Sequence, residues 1–390
     1  MRKIGNKLRT KRQRLRKTQR KYKKQNRRTG RKQNRRTKRA MRGGVNADGS
    51  KVVVLIIDPQ NDFSDNMVPA APLQVAGAEQ DYANICDFIN RNPKIDEIHV
   101  SLDTHTPNHI GHKGFWVDFA YERDKPESPE NPKNPPPPFT TLTLDKDNKI
   151  TGSNEKHYKP ANDRFDAYAI DYIRDFTPNS VGKYPPNNRH QKDAYVWPTH
   201  CLEGDPGHKI HKKIGECLKN TKIPVKYHIK GQNNLAEMYS IFSASRPFVA
   251  SNYDFRNDEL YGGGKNSDFS NPNLANGKPT YEEAIKEINL ETGLNDKLMA
   301  ALLGPIDNPN TVYVCGEAKT HCVKSSLIDL INYQKSRTGN AKNIVLIKDC
   351  SSPIIPLGEE NGGRKPHDNK AENDIINLGG TVKTVNEIIL

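Results

Sequence analysis

Four short apolar runs in this chain each end in a residue able to do chemistry. Val52–Ile57 runs into Asp58, and Ile98–Leu102 runs into Asp103 with His105 two residues on. Pro224–Ile229 runs into Lys230, and Thr311–Cys315 leads through Gly316 to Cys322. A cysteine at the start of a helix, near a lysine, is a plausible nucleophile, because helix-end amides and a nearby ammonium both favour the thiolate. Asp58 is then placed to take the thiol proton and return it to a leaving group. Asp103, His105 and the later His200 suit a divalent metal with open positions, Zn²⁺ first, with Mn²⁺ or Fe²⁺ as alternatives. His109 and His112 follow closely and could add a fourth contact or support the ligands from behind. Cys201, beside His200, reads as packing, since neighbours on extended backbone point apart.

Residues this far apart in sequence meet only if the elements carrying them share one edge. In open parallel sheets ligands bind at the carboxyl ends of the strands, so four such endings read as one cleft. The continuously apolar Val52–Ile57 fits a strand buried on both faces. Ala78–Asn90 places Tyr82, Ile85, Phe88 and Ile89 on one helical face. Strands alternating with helical stretches from Lys51 onward predict a three-layer α/β/α fold with a mainly parallel central sheet. Further helices are expected at Ala167–Ile173, Leu235–Ala244, Tyr281–Leu303 and Cys322–Tyr333, with strands at Asn343–Ile347 and Thr381–Val385. Two polar stretches, near 118–192 and 246–280, read as large loop insertions. The first is long enough that it should hold some order of its own.

The formal charge of +15 is unevenly spread: 22 of the 61 Lys and Arg residues lie in residues 1–44, where there is no acid at all. The remainder holds 39 basic against 46 acidic residues. Residues 1–47 therefore read as a disordered basic arm and 48–390 as a mildly acidic globular body. No apolar core follows the basic start, so a secretory signal is not expected, and no run approaches the roughly 18 residues of a membrane span. Six cysteines without CxxC pairs point to a reducing, intracellular compartment, cytoplasmic or nuclear. Residues 1–44 could bind nucleic acid without sequence choice, through phosphate contacts. An arm ending at Gly43-Gly44 resembles those on proteins of large DNA viruses, which adds the virion to the expected places.

Asp58-Pro-Gln-Asn-Asp-Phe63, Asp103-Thr-His105 with His109, Trp197-Pro-Thr-His-Cys-Leu-Glu-Gly204, Lys230-Gly231 with Tyr239-Ser-Ile-Phe242, and Gly316-Glu-Ala-Lys-Thr-His-Cys-Val323 stand in one order. Together they resemble the isochorismatase-like cysteine hydrolases, within them the nicotinamidase branch. The resemblance implies a Cys322, Asp58 and Lys230 triad, a metal on Asp103, His105 and His200, and an oxyanion hole from the amides of Ala318 and Cys322. It also implies a cis Glu317–Ala318 peptide, Phe63 and Trp197 flanking an aromatic ring, and a small carboxamide hydrolysed to acid and ammonia through a thioester. The metal-type histidines set this reading apart from isochorismatases proper, though a hydrolase of another substrate is the near alternative. A departure is Lys319-Thr320, where the family carries a Thr-Asp pair. The competing class is a non-catalytic nucleic-acid-associated or virion protein that keeps a hydrolase fold. The body could also form homo-oligomers.

Overall fold

The computed structural model describes residues 49–67, 69–176, 193–247, 292–355 and 365–390. The arm, the Asn252–Gly277 stretch and the first part of the Tyr281–Leu303 helix lie outside the described residues. Six strands form one sheet in the order β11-β10-β9-β1-β2-β8, every pair parallel. These are β1 (Val52–Ile57), β2 (Glu97–Asp103), β8 (Val225–Lys230), β9 (Thr311–Gly316), β10 (Ile344–Ile347) and β11 (Thr381–Lys383). All six residues of β1 are buried. Successive side chains of a strand point to opposite faces, so both faces of the sheet are covered at β1, while the edge strand β8 leaves Tyr227 and Ile229 exposed.

Two sets of helices supply the cover. Helix α1 (Ala78–Arg91) packs with α3 (Lys212–Asn220). Helix α4 (Asp296–Leu303) packs with α5 (Lys324–Thr338), and α5 packs with α6 (Lys365–Asn377). Phe88 of α1 meets Tyr313 of β9 with ring centroids 5.6 Å apart, while β10 packs against α5. The expected α/β/α layering is therefore present. The chain first builds outward from β1 to β2 and β8, then returns to lay β9, β10 and β11 on the other side. That reversal between β1 and β9 is the switch point where a parallel sheet opens a crevice at its carboxyl edge. Asp58 and the loop to Cys322 leave from those two strands.

The first insertion is more than a loop. Strands β3 (Trp116–Asp118), β4 (Thr140–Leu144), β5 (Ile150–Gly152), β6 (His157–Pro160) and β7 (Ala194–Val196) form an antiparallel sheet ordered β3-β6-β5-β4-β7. Helix α2 (Asp166–Phe176) buries Tyr168, Ala169, Tyr172 and Ile173 beneath it. Trp116, Tyr158 and Val196 complete this second core. None of these strands exceeds five residues, and their Pro- and Asn-rich turns masked the alternation in the sequence.

The expected helix at Leu235–Ala244 is absent; that stretch is irregular. Leu235, Ala236, Tyr239, Ile241, Phe242 and Ala244 are all buried, so there is no polar face for a helix to present. Its backbone groups are committed elsewhere: the Ile241 amide donates to Ser326 Oγ (3.2 Å) and the Met238 carbonyl accepts from Lys230 Nζ (2.8 Å). No helix among the described residues is long and apolar enough to cross a membrane.

One fold-level consequence is testable by pH. His99 of β2 is buried and hydrogen-bonds His228 of the edge strand β8, Nδ1 to Nε2 at 2.8 Å. Burial, then the His228 and Lys226 charges, hold His99 down to about 4, against the pull of Glu97. Burial likewise lowers His228. The unfolded chain binds these protons near pH 6.5 while the folded chain refuses them, so stability is full above that pH and falls as pH drops toward 4. Urea midpoints measured from pH 7 to pH 4 should decline, and His99→Asn should flatten part of that slope.

Candidate active site

The site is assembled from strand ends held in register. Gln60, just past β1, clamps the end of β2: its Oε1 accepts the Asp103 amide at 2.7 Å and its Nε2 donates to the Asp103 carbonyl at 2.8 Å. Asp58 adopts φ +43°, a left-handed backbone uncommon for a non-glycine. Ser101 of β2 holds it there, accepting the Asp58 amide at 3.1 Å and donating its hydroxyl to Oδ1 at 2.6 Å. Gly231 follows Lys230 at φ +79°, where an added Cβ would sit 2.7 Å from both Asp103 and His105. Only glycine lets the backbone after β8 pass so close to the metal-type residues.

Lys230 is the hub. Its Nζ lies 2.9 Å from Asp103 Oδ1, 3.1 Å from Asp58 Oδ2 and 3.6 Å from Cys322 Sγ. All four side chains are buried. Burial alone would strip the proton from this amine, but Asp103, Asp58 and Cys322 hold its pKa well above the ordinary lysine value. Burial raises Asp58, against the opposing charge of Lys230. Burial also pushes the Cys322 thiol well above its usual range, with Lys230 pulling the other way. Desolvation thus works against the thiolate at Cys322, and the Lys230 charge works for it.

Cys322 sits in a single π-helical turn, Lys319–Val323, that runs into α5. The Ala318 carbonyl accepts the amides of His321 (3.0 Å) and Val323 (3.2 Å), closing the turn around the sulfur. The amides of Ala318 and Cys322, the expected oxyanion donors, lie on this turn, and the Glu317–Ala318 peptide is cis. Lys319, unexpected there, does not face the pocket. Its buried Nζ pairs with Asp368 (2.5 Å) and Glu372 (3.1 Å) of α6, tying the Cys322 turn to that helix. Lys319→Ala removes a buried cation shared by two carboxylates and should cost about 2–4 kcal/mol in denaturant melts, with turnover largely kept.

Asp103, His105 and His200 are buried and place one donor atom each within 4.8 Å of one another. The His105 Nδ1 bonds the Gly231 carbonyl (3.0 Å) and the His200 Nδ1 bonds the Pro198 carbonyl (2.7 Å). With Nδ1 committed there, each Nε2 points inward, 3.0 and 3.5 Å from Asp103 Oδ2. That is how metal-binding imidazoles are oriented, so this donor set fits a divalent ion.

His105, His109 and His112 form a second buried group. His109, however, spends both nitrogens on backbone: Nδ1 accepts the Gly111 amide (3.1 Å) and Nε2 meets the Ala236 carbonyl (3.3 Å). His112 bonds the Thr106 carbonyl (3.3 Å) and, through Nε2, His200 Nδ1 (3.2 Å). Burial holds both imidazoles well below the ordinary histidine value, hence neutral. Their arrangement is that of supports behind His105 and His200. Cys201 is buried in the main core, its amide bonded to Asp62 Oδ2 (2.6 Å), and belongs to neither group.

Phe63 sets its edge against His200, centroids 5.6 Å apart. Trp197, delivered by β7, donates its indole N–H to Tyr239 Oη (2.9 Å) and meets His321 edge to face at 5.1 Å. Sequence reasoning missed three parts. Ser101 and Glu237, which lies 3.9 Å from His109, sit in ordinary-looking strand and loop contexts. His321 was noticed only as a neighbour of Cys322; its aromatic partners come from residues about 80 and 120 positions earlier.

No known family profile matches the chain, and no curated protein does. Among solved structures it is similar to the Acinetobacter baumanii nicotinamidase/pyrazinamidase, at 16% identity and TM-score 0.45, over 87% of this chain and 99% of that one. It is similar to the yeast nicotinamidase bound to the inhibitor nicotinaldehyde, at 15% identity and TM-score 0.42, over 85% and 99%. An isochorismatase-like hydrolase from Alkaliphilus metalliredigens matches at 11% identity and TM-score 0.35, over 87% and 97%. Likenesses this remote bring no activity across, so function has to come from the site itself.

Proposed function

We propose that the chain is a cysteine amidohydrolase that converts a small aromatic carboxamide, nicotinamide being the first to test, to the acid and ammonia. The observation that carries this reading is one buried ammonium, Lys230, within 3.6 Å of a thiol and within 3.1 Å of two carboxylates at the carboxyl edge of a parallel sheet. A body kept only for binding has no need to bury such a costly cluster.

In this reading Asp58 takes the Sγ proton as sulfur attacks the carbonyl carbon, and the Ala318 and Cys322 amides receive the developing oxyanion. Asp58 returns that proton to the nitrogen as the C–N bond breaks, releasing ammonia and leaving a thioester on Cys322. Asp58 then deprotonates a water whose attack breaks the C–S bond, frees the acid and restores the thiol. Lys230 stays charged throughout and offsets the negative charge passed between thiol, carboxylate and oxyanion. Phe63 and Trp197 border the ring and exclude water. Asp103, His105 and His200 would hold the metal. When bound, a divalent ion there, Zn²⁺ ahead of Mn²⁺ or Fe²⁺, supplies a Lewis acid for a ring nitrogen.

The test is ammonia release from a panel of carboxamides. Nicotinamide or a close analogue should be turned over, and exhaustive chelation should lower the rate by about 100-fold or more, with recovery on adding back metal. Release of no ammonia from any member of the panel would remove the reading.

A further inference from the structure

A cavity of about 520 Å³ opens beside the site, lined by Trp197 and His321 but by none of Cys322, Asp58 or Lys230. That volume is in the range of small-molecule pockets. One wall is apolar and aromatic: Tyr195 packs on Trp197 with centroids 5.0 Å apart, and Phe139 meets the same indole at 5.9 Å. Lys324, Lys370 and His367 also line it, and no carboxylate is among the described residues lining the cavity. Lys324 and Lys370 both lean on a single acid outside the lining, Asp374, each at 3.2 Å. Both ammonium groups line the cavity, while the carboxylate they share does not. Thr141, Ser153 and Asn154 add hydroxyl and amide groups at the rim.

The cavity and the nucleophile share a sill. His321 lines the cavity, and the next residue, Cys322, faces Lys230 on the other side. Trp197 belongs to both spaces. Resting on the carboxamide reading above, a ring beside Trp197 with its amide at Cys322 could carry a substituent past His321 into this cavity. We infer that the cavity receives the far end of the substrate, and that this end is anionic: the substrate class is an aromatic carboxamide bearing a carboxylate- or phosphate-tipped side arm, met by Lys324 and Lys370. Unsubstituted nicotinamide then leaves this cavity unfilled.

The experiment is calorimetric binding to full-length Cys322→Ala, using ring-substituted nicotinamides with one alkyl arm ending in carboxylate, phosphonate or methyl ester. The anionic arms should bind about five- to tenfold more tightly than the ester, a partly buried charge-assisted contact being worth that much. The tighter of the two anions identifies the tail. Lys370→Glu, at an exposed side chain where the fold is not at stake, should abolish or reverse the preference, and Lys324→Gln should weaken it. Equal binding of acid and ester, or a preference that survives both substitutions, overturns the assignment. Turnover of nicotinamide by the unaltered chain is scored separately. With turnover present and binding equal, the cavity assignment alone fails; with no carboxamide turned over, the reading beneath it fails as well.

Discussion

Lys230→Met is expected to lose both activity and stability. Methionine matches the length and volume of lysine but removes the ammonium, leaving Asp58 and Asp103 buried without the cation that lies 3.1 and 2.9 Å from them. Breaking a buried ionic cluster from one side typically costs about 3–5 kcal/mol, because uncompensated charge remains in a poorly solvated site. Turnover should fall by about 1,000-fold or more, since the thiol, already raised by burial, loses the charge that opposes that rise. The stability loss has a pH signature. Asp58 is already raised by burial, and without Lys230 it rises further, so the penalty is full where the folded carboxylate is ionised. It shrinks as falling pH protonates that group in the folded state. Urea melts of both proteins from pH 8 to pH 5 should therefore converge on the acid side.

Asp58→Asn should separate the two effects. The amide keeps the shape, and its oxygen can still accept from Ser101 Oγ, as the carboxylate does at 2.6 Å. It also removes one of two negative charges beside Lys230, so the fold should hold to within about 1 kcal/mol. The amide cannot accept the thiol proton. General acid–base groups contribute about 100- to 10,000-fold, and Asp58 serves both half-reactions, so the rate should fall to the far end of that range. A stable, inert Asp58→Asn beside an unstable, inert Lys230→Met assigns proton transfer to one and charge support to the other. Comparable activity in Asp58→Asn and the unaltered chain would remove Asp58 from the mechanism.

The strand endings were legible in the sequence because a strand buried on both faces has a continuous apolar run and stops at the first ionisable residue. Asp58 is marked in that way; β2 and β8 already carry His99, and Lys226 with His228, so Asp103 and Lys230 are marked only by closing their strands, and parallel topology does the rest. The Leu235–Ala244 segment shows where such reading fails. It has the apolar content of a helix, yet it is buried on every side and its backbone is bonded to side chains distant in sequence. The antiparallel sheet of the first insertion was illegible for a different reason: its strands are as short as three residues, too few for alternation to register. Ser101 and Gln60 show a third limit. Their roles are contacts across 43 residues, visible only once β1 and β2 lie side by side. At the Lys319-Thr320 departure from the family pattern, the buried Lys319 pairs with Asp368 and Glu372 of α6, a contact with residues about 50 positions later that no local pattern announces.

The most direct measurement is mass spectrometry of the full-length protein, acid-quenched during turnover of nicotinamide and digested. The account predicts a nicotinoyl thioester on the peptide carrying Cys322, absent from Cys322→Ala, which should also release no ammonia. Ammonia released at an undiminished rate by Cys322→Ala, or steady turnover with an acyl group found on another residue, would contradict it.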